Sequence, residues 1–195
     1  MLRRASSEGQ VSGLLSIQKP MNVFESSAAE LEELNKRVHE LWRRRSESPD
    51  ATAAWREAAQ TFHANYDRLA FPGGLTRQFE RLKKGDLEAI ELAVRYLEVN
   101  PWYFRSGYHK ADFLRLLKRQ PLSDEQCARL RKVILDRVRG RPVREMRAYG
   151  HLAPRISSPQ FEAELTAIKE NSDRQASNNA AFILEFVRSW KRRRS

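Results

Sequence analysis

Apolar residues recur along most of this chain at the three- and four-residue spacing of an amphipathic helix, and not at the alternate-residue spacing of a strand. Leu31, Leu34, Val38, Leu41 and Trp42 make the first stripe; Trp55, Ala58, Ala59, Phe62, Tyr66 and Leu69 make the second. Leu75, Phe79 and Leu82 mark a short third segment. Further stripes begin at Ile90, Ala111, Cys127, Met146 and Phe161, and the last runs from Ala176 to Trp190. The pattern predicts an all-α protein with no sheet.

Boundary residues divide the stripes. Ser26-Ser27 with Glu30 reads as a helix N-cap with its reciprocal glutamate, and Ser123 with Gln126 repeats the arrangement. Phe71-Pro72-Gly73-Gly74 is the strongest break and reads as a helix-to-helix turn; it lacks the lysine and the glycine spacing of a phosphate-binding loop. Gly85 and Gly140 read as helix ends, and Pro101 and Pro142 as first helical residues. Residues 1–23, rich in Ser, Gly and Gln and without a helical period, read as a flexible N-terminal segment. Residues 24–190 read as one helical domain: a hairpin plus a short helix over 24–85, then helix pairs over 86–190, with a basic tail at 191–195.

Three helix starts, Asp86, Asp124 and Gln160, lie 38 and 36 residues apart, and each is followed 13 to 18 residues later by a second start, at Pro101, Pro142 and Asp173. A single helix pair cannot bury its own apolar face, so paired helices at a steady period imply stacking. Over 86–190 the pattern resembles HEAT-like repeat arrays. The resemblance implies antiparallel helix pairs stacked as a short α-solenoid; an irregular helical bundle is the competing architecture. It also implies a binding scaffold, although some basic HEAT-like proteins are DNA glycosylases. None of that family's catalytic residues maps onto this chain.

Charge sharpens the expectation of binding. The chain of 195 residues carries a net +11, with an isoelectric point near 10.2, which favours an acidic partner. Cys127 is the only cysteine, so no intramolecular disulfide forms. Together with the lack of a signal-peptide core or membrane span, this points to the cytoplasm. His39, His63, His109 and His151 fall on four separate segments without ligand spacing, so neither metal nor cofactor is expected. Ser106-Gly107 lacks the nucleophile-elbow pattern, Cys127 reads as a packed thiol, and Glu91 and Glu98 read as a solvated face. Asn179 falls inside an apolar arc, where its amide must be hydrogen-bonded to a neighbouring helix or loop.

The remaining chemistry lies between Trp102 and Arg147. Trp102, Tyr103, Phe104 and Tyr108 interleave with Arg105 and Lys110, a composition suited to stacking on bases or to an interface hot spot. Trp102, Phe104 and one tyrosine could equally fill space between repeats. From Arg105 to Arg147 there are thirteen Arg and Lys against five Asp and Glu. Arg105, Tyr108, Arg139, Arg141, Arg144 and Arg147 are therefore the candidate partner-binding residues. The function expected is non-catalytic recognition of an acidic macromolecule. An acidic protein comes first, with the chain as an accessory or immunity protein. Nucleic acid held along a basic edge comes second, and a DNA-acting enzyme on a HEAT-like scaffold third.

Overall fold

The computed structural model describes residues 22–194. Among them the chain forms nine α-helices, one 3-10 turn and no strand: α1 (Val23–Arg44), α2 (Pro49–Ala70), α3 (Leu75–Lys83), α4 (Leu87–Val99), α5 (Ser106–Leu117), α6 (Asp124–Arg139), α7 (Met146–Leu152), α8 (Pro159–Asn171) and α9 (Arg174–Arg192), with the 3-10 turn at Ala153–Arg155. Of the segment read as flexible, residues 1–21 lie outside the described residues, as does Ser195 of the basic tail. No helix among the described residues is long and apolar enough to cross a membrane.

Helix pairs pack against each other in two rows. α4 packs on α6 and α6 on α8; α5 packs on α7 and α7 on α9. α1 and α2 form a hairpin at one end, and α8 and α9 form another at the opposite end of the sequence. The buried stripe residues Leu97, Leu114, Ile134 and Ile183 join one continuous core. Its densest part is aromatic: the Phe71 ring lies 5.3 Å from Phe24 and 5.3 Å from Phe113, and Tyr96 lies 5.0 Å from Phe113.

Three boundaries differ from the sequence reading. The first helix is capped by Asn22, not by Ser26-Ser27. The Asn22 side chain accepts from the Phe24 N–H at 3.0 Å, and the Glu25 carboxylate accepts from the Asn22 N–H at 3.0 Å. Ser26 lies inside α1, where its hydroxyl donates to the Val23 carbonyl at 3.1 Å, and the earlier start places Phe24 in the aromatic core. Pro101 and Pro142 do not begin helices. Asn100 closes α4 in the left-handed region (φ 54°), and the chain crosses five residues before α5 starts at Ser106. Likewise α7 starts at Met146. Pro49 and Pro159 begin helices because Ser48 and Ser158 before them are extended N-caps, whereas Asn100 before Pro101 is left-handed and Arg141 before Pro142 is not a capping residue type.

Other local readings hold. Gly85 ends α3 in the left-handed region (φ 75°), with the Asp86 N–H donating to the Arg81 carbonyl at 3.2 Å, as in a Schellman motif. Ser123 and Gln126 cap α6 reciprocally. The Asn179 amide donates to the Val138 carbonyl at 3.1 Å and to the Gly140 carbonyl at 3.2 Å, tying α9 to the end of α6. Glu91 and Glu98, read as a solvated face, instead clamp Arg129 across the α4–α6 contact at 2.7 Å and 2.6 Å. Cys127 is only half-buried, and that partial burial raises its thiol pKa.

Candidate functional site

The crossing from α4 to α5 alternates inward and outward. Pro101, Tyr103 and Ser106 are buried, whereas Trp102 is 73% exposed and Phe104 41% exposed. Arg105 then takes φ 70°, an uncommon conformation for a residue with a β-carbon, and turns the chain into α5. Trp102 and Phe104 therefore do not fill space between helix pairs. They face outward, and the filling role falls to Tyr103 and Tyr96.

Tyr103 anchors the crossing. Its hydroxyl lies 3.0 Å from the Ala70 carbonyl, 2.7 Å from the Tyr96 hydroxyl and 2.8 Å from His109 Nδ1. A carbonyl only accepts, so the single Tyr103 proton goes to Ala70. Tyr96 must then donate to Tyr103, and His109 must donate from a protonated Nδ1. Burial pushes the His109 pKa down to about 4, which leaves a neutral ring with Nδ1 carrying the hydrogen near neutral pH. Two further bonds fasten Phe104: its N–H donates to the Glu32 carboxylate at 3.1 Å, and its carbonyl accepts from the Tyr66 hydroxyl at 3.0 Å. Burial pushes the Tyr66 hydroxyl up to about 12, so it remains a donor.

The result is a groove of about 480 Å³ between α1, the crossing, the first turn of α5 and the α6–α7 turn. Glu32 and Asn35 line one side, Trp102 to Tyr108 another, and Val143, Arg144 and Glu145 the third. The Arg144 guanidinium stacks over the Tyr108 ring at 3.9 Å, and the Arg105 guanidinium lies 5.4 Å from the Phe104 ring centre. Gly107 allows the close approach of α5 to the α6–α7 turn, because a β-carbon there would sit 3.0 Å from a Glu145 carboxylate oxygen.

Beneath the groove, Lys110 is 4% exposed and Glu145 5% exposed. Burial pulls the Lys110 pKa down to about 8, opposed by the Glu145 carboxylate and reinforced by Arg137. Tyr149 is fully buried alongside, and burial raises its hydroxyl pKa. The Ser106 hydroxyl, also buried, accepts from the Tyr103 N–H at 3.3 Å and so serves the fold of the crossing. No group of three or more His, Cys, Asp and Glu side chains that could hold a metal ion occurs among the described residues.

Of the six candidate partner-binding residues, the structure brings Arg105, Tyr108 and Arg144 together on the groove. Arg139 and Arg141 are exposed at the end of α6 and on the turn after it, outside the groove lining; Arg139 approaches Asp136 at 3.9 Å. Arg147 lies on α7, where its charge acts on His151. Sequence reasoning passed over Glu32, named Lys110 only as a basic residue among the aromatics and not as a buried one, and left Trp102 and Phe104 open as filler. The in–out alternation from Pro101 to Phe104 was the signal available for the last two.

Compared with protein-family models, with curated proteins and with solved structures, the chain gives no match.

Proposed function

We propose that the protein is a non-catalytic helical scaffold that binds an acidic protein partner through the Trp102–Tyr108 groove. The observation that carries this reading is the rim: Trp102, Phe104 and Tyr108 are 73%, 41% and 47% exposed, with Arg105 and Arg144 laid against two of the rings. Large exposed aromatics beside arginines are the composition of interface anchors, and an isolated solvated face gives no reason for them. The two carboxylates in the lining are each engaged within the protein. Glu32 is held by the Phe104 N–H, and Glu145 faces the positive charge of Lys110 and Arg137. The partner's acidic groups meet Arg105 and Arg144, while an apolar side chain enters beside Trp102 and Tyr108. In this reading the stacked helix pairs serve as a HEAT-like platform holding the groove in shape.

The test is capture of a partner from native extract on the immobilised full chain, with and without nuclease. Capture should survive nuclease and persist on purification of the partner. It should weaken by about thirtyfold for Tyr108→Ala, the scale of a hot-spot residue. Arg105→Glu with Arg144→Glu should slow association at low salt. Binding that disappears on nuclease treatment would transfer the role to nucleic acid. A folded variant combining Tyr108→Ala, Arg105→Glu and Arg144→Glu that binds as tightly as wild type would remove the groove from the binding surface.

A further inference from the structure

A second concave site lies away from the groove, where the ends of α5 and α9 meet the α7 end and the 3-10 turn. It is a cleft of about 210 Å³, lined among others by Lys118, His151, Arg155, Trp190, Arg193 and Arg194. No carboxylate is in the lining. Lys118, Arg155 and Arg193 form no ion pair with any described residue, and Arg194 spends its guanidinium on the face of Trp190 at 4.4 Å. The neighbouring tail cations behave differently: Lys191 pairs with Glu162 at 2.8 Å and Arg192 with Glu185 at 2.8 Å. Cations at helix C-termini complement the helix dipole one at a time. That effect does not explain why cationic residues from three parts of the chain line one small concavity that holds no carboxylate.

We propose that this cleft is an anion site that takes a phosphate group. A phosphate carries about −1.5 to −2 at neutral pH and presents several acceptor oxygens, which suits convergent Lys and Arg donors better than a single carboxylate does. Pro154 and Phe186 close the cleft on its apolar side, and the His151 ring meets Phe186 edge-on at 4.8 Å. His151 is the built-in reporter. Its pKa is lowered first by burial and then by Lys118, Arg147 and Arg115. Arg155 of the 3-10 turn and Arg193 and Arg194, just after α9, line the same cleft. A bound phosphate offsets these charges and so raises the pKa of His151.

The experiment is an NMR titration of the His151 ring in the full chain, with inorganic pyrophosphate or sodium chloride at matched ionic strength. Pyrophosphate should raise the His151 pKa saturably, and chloride should not. Lys118→Gln with Arg155→Gln should weaken pyrophosphate binding by about tenfold or more, the scale of lost charge-assisted hydrogen bonds. Both residues belong to surface positions, and circular dichroism checks the fold; Arg193→Gln alone is a second variant that should weaken binding in the same direction. Arg105→Glu with Arg144→Glu should leave binding at the cleft unchanged. Substituting adenosine diphosphate or a 5′-phosphorylated trinucleotide for pyrophosphate tells a nucleotide source from a nucleic-acid end, through added contact with Trp190. Pyrophosphate that moves His151 no more than chloride does would overturn the proposal. So would binding that survives the cleft variants but is lost with the groove variant.

Discussion

The two terminal hairpins are written in the same alphabet and folded to different depths. α8 and α9 bury Phe161, Leu165, Ile168, Ala176, Ala180, Ile183, Leu184 and Val187. α9 lies along α6, α7 and the 3-10 turn as well as along α8. α1 and α2 pack on each other over their length, yet α1 buries only Phe24, Ala28 and Leu31, all in its first half. Leu34, Val38 and Leu41 remain half-buried, and Trp42 is 48% exposed. The first hairpin is thus docked at its open end and projects at its closed end, whereas the last is docked throughout. Helical periodicity tells which face of a helix is apolar. How much of that face is covered depends on the neighbours a chain of contacts supplies.

The comparison is broken or sharpened by mutation. Phe161→Ala on α8 should cost about 3–5 kcal/mol, through lost transfer energy and the cavity left behind. Leu41→Ala on α1 should cost about 1 kcal/mol, because its side chain is only partly removed from water. Denaturant melts giving equal losses would erase the contrast. Asn179→Ala should cost about 1–3 kcal/mol, since it leaves the Val138 and Gly140 carbonyls without their donor and loosens the docked hairpin from α6. Urea titration should show a lower midpoint for this variant with little change in slope.

Lys110 adds a pH test in the layer between the hairpins. Its folded pKa, about 8, lies below the ordinary lysine value of 10.5, so folding disfavours its proton. Below pH 8 both folded and unfolded chains hold that proton, and the cost of burying the charge is present in full. Between pH 8 and 10.5 the unfolded chain binds more protons than the folded one, so stability rises with pH and the cost fades. Lys110→Met should therefore stabilise the protein at pH 7 and lose that advantage by pH 10.5, read from melts at both values. A gain independent of pH would mean the effect is packing alone. The smallest stability change is expected for Tyr108→Ala, within about 0.5 kcal/mol, because an exposed ring supports little of the fold. A large loss of stability there would make Tyr108 a structural residue and weaken its case as an anchor.

Much of the fold was legible because burial and period coincide in the helices that stack. Leu97, Leu114, Ile134 and Ile183 could be named from spacing alone, and Asn179 from its place in an apolar arc. The misplaced start at Pro101 has a traceable cause. Pro101 is compatible with helix, but the path after Asn100 is set by the Tyr103 hydroxyl reaching Ala70, Tyr96 and His109, contacts that sequence spacing does not encode. The site was half legible for a related reason. Arg105 and Tyr108 are close in sequence and stand out by composition. The stacking of Arg144 on Tyr108 depends on the packing of α7 against α5, as the separation of Arg147 from the groove depends on its position one turn further along. Cation clusters look alike in a sequence, and only the fold sorts them between groove and cleft.

The placement of the aromatic residues has an optical consequence. Trp42 and Trp102 are exposed, and Trp55 and Trp190 are half-buried, so no indole lies in the fully covered interior. That interior holds the phenols Tyr96, Tyr103 and Tyr149 instead. Tryptophan emission therefore reports the hairpin, the groove and the cleft, while near-ultraviolet dichroism of tyrosine reports the centre. An observer following only the red-shifted indole band would be watching the periphery of the molecule, and its collapse could precede or lag the loss of the tyrosine signal without any step in the core itself.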